Sequence, residues 1–161
     1  MMMDLYEMTM ANGYFQYPGA EDLVTFDVFY RKNPDGAGFA IFAGLEQVLD
    51  YLEGMHFDDA DIDYLRSLHI YAEDFLTWLR NFRFRGTVRA LTEGSIMYPN
   101  EPILTVEAPL IDAQLVETAI LAQVNHQSLI ATKTNRIVRS AEGRLVADFG
   151  ARRAHNVDAA V

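Results

Sequence analysis

The chain has 161 residues, with 13 lysine and arginine against 23 aspartate and glutamate side chains, a formal net charge of −10. Half of the residues are hydrophobic and 22% are charged, which suffices for a buried core and excludes a disordered chain. The acidic balance argues against non-specific nucleic-acid binding, and the lack of cysteine removes disulfides, thiolate metal sites and a cysteine nucleophile. No apolar run approaches the roughly 20 residues of a membrane-spanning helix. The N-terminus lacks the basic segment and apolar stretch of a secretory leader, so the expected compartment is the cytoplasm.

Asp4 to Phe15 predicts a helix with Asp4 as N-cap, ended by Asn12-Gly13 or Gly19. Tyr6 lies in it among apolar neighbours, where ring packing is the ordinary role. Leu23 to Tyr30 predicts a strand, and because both of its alternating sets are largely apolar it should be covered on both faces. Arg31-Lys32-Asn33-Pro34-Asp35-Gly36 is a turn entered by two cations, which by themselves read as a solvated loop. Phe39 to Phe42 is a short strand, and Gly44 to Glu53 a helix.

Phe57-Asp58-Asp59-Ala60-Asp61 opens another helix, its acids complementing the helix dipole rather than holding a metal. His69 stands alone, without a second histidine at ligand spacing. Glu73 to Phe82 is a further helix. Gly86 to Leu91, Ser95 to Met97 and Ile103 to Glu107 predict short strands of a compact antiparallel unit. From Leu110 the period is helical, in one stretch to about Val124 and a second from about Gln127 to Ala141, closed by Glu142-Gly143.

Leu145 to Phe149 then predicts a buried strand, Gly150 a turn, and Arg152 onward a short helix. A strand-to-helix turn with Arg152 and Arg153 suits an anion, because helix N-terminal N–H groups and guanidinium forks both favour negative charge. Surface salt bridging is the competing role. Asp27, Asp112 and Asp148 are carboxylates in apolar surroundings, each equally readable as a satisfied buried acid. Asp148-Phe149-Gly150 has none of the upstream context of a protein kinase, and Gly94 to Pro109 has no lysine to act as a lipoyl or biotinyl carrier.

In combination, Asp4 to Met10, Phe29 to Pro34, Phe42 to Glu46, Glu93 to Pro102 and Asp148 to Ala154 resemble the nicotinate phosphoribosyltransferase family. Met3 stands where that family usually has threonine. The resemblance implies a mixed α+β and α/β fold. It would have an N-terminal helical plus small β-sandwich domain of a type II phosphoribosyltransferase, over residues 1–143, with its β unit at about 86–108 and helices at about 110–141. Residues 144–161 would begin an incomplete (β/α) barrel with its first strand.

The resemblance further implies a reaction. Nicotinate, phosphoribosyl pyrophosphate as co-substrate and ATP, with Mg, give nicotinate mononucleotide, diphosphate, ADP and phosphate, the first step of NAD salvage from nicotinate. A homodimer with shared sites is implied, with no nucleic acid and no membrane. Phe149 matches the aromatic residue that stacks on the pyridine ring, and Tyr6 the aromatic that closes its other face from the neighbouring subunit. Arg152 matches an arginine at the ribose-phosphate end, and Arg31 a basic residue reaching the phosphates of the partner's site. The phosphorylated histidine of the family lies downstream, so His56, His69, His126 and His155 are not assigned to it. The expectation is therefore an N-terminal portion, inactive on its own. A non-catalytic binding or dimerisation module of the same descent, or a nicotinamide-using relative, remains the alternative.

Overall fold

The structure, a computed structural model, describes residues 2–155, 157 and 159. Positions 1, 156, 158, 160 and 161, parts of the expected segments 1–143 and 144–161, lie outside the described residues.

Helix α1 (Leu5–Phe15) opens with a reciprocal cap in which Asp4 accepts from the Glu7 backbone and Glu7 Oε2 accepts from Asp4 N at 2.7 Å. The other Glu7 oxygen leaves the helix and accepts from Thr118 N at 2.7 Å, 111 residues away, and Glu7 is fully buried. That contact explains a departure from the expected helix boundaries. The chain forms α5 (Leu110–Leu115) and α6 (Glu117–Ser140), breaking at Val116 rather than near residues 125–127. In one continuous helix the Thr118 N–H would bond to the Gln114 carbonyl. A carboxylate inserted into the ladder takes that donor and kinks the chain there.

Among the described residues, five strands, β1 (Leu23–Val28), β2 (Ala40–Ile41), β3 (Thr87–Ala90), β4 (Ile96–Met97) and β5 (Leu104–Pro109), make two antiparallel sheets of order β1-β5-β3 and β2-β4. The unit expected at 86–108 is thus not self-contained, because the earlier strands β1 and β2 complete both sheets. Coverage of β1 on both faces is also corrected. Val24, Phe26 and Val28 are half-buried, whereas Leu23, Thr25 and Asp27 are exposed. β1 is an edge strand with α5 packed on one side, and the outer face is polar: Thr105 Oγ1 donates to Asp27 at 2.6 Å, and Arg89 pairs with Glu107 at 3.1 Å. Gly86 lets β3 begin close to β5, since a Cβ there would lie 2.6 Å from the Phe84 ring and 2.8 Å from the Ala108 Cβ.

The two-stranded sheet is completed by a helix. Ile41 N donates to Thr132 Oγ1 at 2.9 Å, and Ala43 N to Ser128 Oγ at 3.1 Å, so α6 satisfies backbone donors along β2 that no strand reaches. The Glu93 carboxylate accepts from Gly44 N at 2.7 Å and Leu45 N at 3.0 Å, capping α2 (Leu45–Gly54), whose N-cap glycine has φ of +105°. Helices α3 (Asp59–Ser67) and α4 (Glu73–Arg80) form a hairpin. The acidic run Asp58 to Asp61 makes a reciprocal cap at its start, as the dipole argument expects. Phe15, Phe75, Trp78, Phe82 and Phe57 then pack ring on ring at centroid distances of 5.4–5.9 Å. Asp112 is fully buried, and Arg85 satisfies it through its backbone N–H at 2.9 Å and Nη2 at 2.8 Å while also gripping the exposed Glu21.

Residues 145–149 form no strand, contrary to expectation. Leu145 is 95% and Phe149 83% exposed, because no strand of either sheet pairs with this segment and no helix covers it. Gly150 N donates to Asp148 Oδ1 at 2.6 Å in a local turn, followed by a single 3-10 turn at Ala151–Arg153 in place of the short helix expected from about Arg152 onward.

Candidate functional site

Where β1 leaves its sheet, it faces the flank of α6 across an open groove of about 810 Å3. The groove is lined along α6 from Thr118 to Thr132, a run of about 21 Å at 1.5 Å per residue. Val28, Met97, Ile103, Leu121 and Val124 make its walls largely apolar. Tyr6 stands at the Thr118 side, beside Asp4 and Glu117. Arg31 and Lys32 also line it, and neither forms an ion pair with a carboxylate of the described residues.

The structure thus brings two of the four sequence-designated residues, Tyr6 and Arg31, onto one groove. Phe149 and Arg152 are not part of it and lie on the exposed segment that follows α6. Asp27 and Asp148 are exposed, the first accepting from Thr105 across the sheet and the second from Gly150 in a local turn, while Asp112 belongs to the buried pair with Arg85.

Tyr6 is placed by α1, whose start is fixed on α6 through Glu7. Burial first, then the hydrogen bond and charge of Glu117, push the Tyr6 hydroxyl pKa up, so it stays a neutral donor on a ring that is still 44% exposed. Arg31 is placed by Tyr30. The Tyr30 hydroxyl lies 2.8 Å from both Asn33 Oδ1 and the Met97 carbonyl, and Tyr30 O accepts from Asn100 N at 2.8 Å. Desolvation raises the Tyr30 pKa, which keeps that donor protonated. The segment Glu93 to Pro102, notable in the sequence, is therefore a brace: one end caps α2 and the other supports the base of the Arg31 turn. An aromatic donor at one end, unpaired cations at the other and an apolar wall between them suit a flat heteroaromatic ligand bearing an anionic group.

Sequence reasoning missed Lys32 as a groove residue and Arg136 as a partner of the turn. The Lys133–Arg136 spacing on one helix was visible, but nothing local links it to Asp35, about 100 residues earlier.

Comparison with known proteins follows the same lines. Residues 1–125 match the family described as the nicotinate phosphoribosyltransferase (NAPRTase) N-terminal domain. A nicotinate phosphoribosyltransferase of Mycobacterium tuberculosis is 48% identical over 157 residues, covering 98% of this chain and 34% of that protein. A Bacillus subtilis nicotinate phosphoribosyltransferase is 45% identical over 158 residues, covering 98% and 32%. The crystal structure of human nicotinic acid phosphoribosyltransferase superposes with a TM-score of 0.87 at 37% identity, covering 99% of this chain and 33% of that one. The fold, small antiparallel sheets among helices with no closed barrel among the described residues, is that of the N-terminal domain of a type II phosphoribosyltransferase. Within that class, the chain belongs to the nicotinate phosphoribosyltransferase family. It spans about a third of the length of the relatives it matches.

Proposed function

We propose that this chain is the N-terminal part of a nicotinate phosphoribosyltransferase. The pyridine nitrogen of nicotinate displaces diphosphate from the ribosyl carbon of phosphoribosyl pyrophosphate, giving nicotinate mononucleotide for NAD synthesis. The observation that carries the reading is family membership along nearly the whole chain, together with Tyr6 and Arg31 facing one groove. Tyr6 closes one face of the pyridine ring and Arg31 meets the phosphates, both in the site of a neighbouring subunit. Phe149 stacks on the other ring face and Arg152 faces the ribose-phosphate end of its own subunit's site. The separation of the two pairs in the monomer suits such a shared, dimeric site. Residues 144–161 belong to the barrel side of the site and residues 1–143 to the N-terminal domain.

Cytoplasmic location, ATP and Mg enter on the family resemblance. Among the described residues no group of three or more histidine, aspartate or glutamate side chains is placed to hold a metal. No helix among the described residues is long and apolar enough to cross a membrane.

The test is an assay of the protein produced from its complete reading frame, with phosphoribosyl pyrophosphate, ATP and either nicotinate or nicotinamide. Nicotinate mononucleotide and diphosphate should form in equal amounts, with nicotinamide a far poorer substrate. Preference for nicotinamide, or no product, would reject the reading. The 161-residue chain by itself should give no turnover.

A further inference from the structure

The turn carrying Arg31 and Lys32 is pinned from α6 in a way the reaction does not explain. Arg136 uses both ends of its guanidinium: Nη2 donates to the Pro34 carbonyl at 2.9 Å and Nη1 to Asp35 Oδ2 at 3.3 Å. Lys133 Nζ donates to the same Asp35 oxygen at 3.0 Å. The Lys133 hydrogen bond and charge, reinforced by Arg136, hold the Asp35 carboxyl below its ordinary range. Asp35 has φ of +53°, a left-handed conformation that most side-chain-bearing residues avoid, immediately before Gly36. At the other end, Tyr30 and Asn33 hold the entry of the turn. Between these two anchors only Arg31 and Lys32 are exposed without a carboxylate partner.

We propose that Arg136 and Asp35 are positioning residues: a latch across Pro34 and Asp35 that aims the Arg31-Lys32 pair into the groove at a phosphorylated ligand. Asp35 is an odd choice beside an anion site if only charge mattered, because it cancels part of the local positive field. As the acceptor that lets one guanidinium grip the turn at two points, it has a clear role. A lysine at 136 would keep the charge and lose the planar fork. This inference rests on the proposed role of Arg31 in phosphate binding.

The experiment uses the protein produced from its complete reading frame, with inorganic diphosphate as probe, titrated by calorimetry at low salt. The second readout, independent of ligand, is amide hydrogen exchange at Ala37, whose N–H donates to the latched Pro34 carbonyl at 3.0 Å. The variants are Arg136→Lys and Asp35→Asn, the latter retaining a residue type that tolerates left-handed backbone. Both should weaken diphosphate binding roughly fivefold to tenfold and speed amide exchange at Ala37 about tenfold, with the melting temperature little changed. Charge alone makes the opposite prediction: Asp35→Asn would tighten binding and Arg136→Lys would leave it unchanged. Either result overturns the latch. If the unaltered chain binds no diphosphate, the Arg31 reading itself fails and the latch falls with it. Binding by the unaltered chain with equal binding by both variants rejects the latch alone. Arg89→Lys, on the outer face of the sheet, is the control and should change neither readout.

Discussion

Tyr6 and Arg31 stand on elements anchored through the core, whereas Phe149 and Arg152 stand on a segment held by hydrogen bonds to its own near neighbours. The first pair inherits its position from long-range contacts: Glu7 to Thr118, Tyr30 to Met97, Arg136 to Pro34. Among the described residues, the second has the turn at Asp148–Gly150 and the bonds from Arg153 N to Gly150 O at 2.7 Å and from Ala154 N to Ala151 O at 3.1 Å. Apolar sequence is not what separates the regions, since Leu145, Val146 and Phe149 are as hydrophobic as the strands of the sheets. What differs is whether another element lies against them.

The sharpest way to break this contrast is to truncate an aromatic ring in each region. Phe42, fully buried, should cost about 3–5 kcal/mol on Phe42→Ala, in transfer energy plus the cavity left behind. Phe149→Ala should fall within about 0.5 kcal/mol of the parent in the same urea unfolding series. A cost above that for Phe149 would mean the segment docks in solution. Arginines give the next contrast. Arg85→Ala strands the fully buried Asp112 carboxylate with one backbone donor and should lose about 3 kcal/mol. Arg152→Ala, on an exposed residue, should leave unfolding unchanged while weakening ligand binding in the complete protein.

Glu7→Gln is a smaller perturbation of the anchored side. One amide oxygen replaces two carboxylate acceptors, leaving either Asp4 N or Thr118 N without its bond, at about 1–3 kcal/mol. Circular dichroism of that variant should keep its helix content, because the α5–α6 break is relieved rather than created. The least effect is expected at alkaline pH. Burial, then the Glu7 charge, pushes the Tyr51 hydroxyl up to about 12. The unfolded chain ionises it near the ordinary tyrosine value of 10.0, so the stability linked to Tyr51 is complete below pH 10 and declines as pH rises towards 12. Tyr51→Phe should flatten that decline in a series of unfolding curves. A phenol absorbance titration placing Tyr51 near 10 would remove its basis.

Much of the fold was legible because it is written locally. The Asp4–Glu7 and Asp58–Asp61 caps, the helices of α2 and α4 and the turn after β1 follow from side-chain types three or four residues apart. The same reading placed the α5–α6 break about ten residues late, since the carboxylate that makes it comes from α1. It also gave β1 cover on two faces, because apolar alternation records what a strand can bury and not how many elements are available to bury it. The motifs around Tyr6 and Arg31 singled both out as candidates, but did not show that they share a groove. Lys32 was visible as a cation of the turn but not as a groove residue, and the Arg136–Asp35 contact carried no local signal.

The sequence by itself determined the class of fold, the helix caps, the turn that presents Arg31 and the family to which the chain belongs. These depend on short-range backbone chemistry and on residue identities in order. The tertiary structure decided where the long helical stretch breaks, which strands complete each sheet, and that Tyr6 and Arg31 share one groove while Phe149 and Arg152 stand apart. The physical reason is common to all of these. A buried carboxylate, a paired strand edge or an anchored guanidinium is satisfied only by a partner distant in sequence, and that partner is specified by packing.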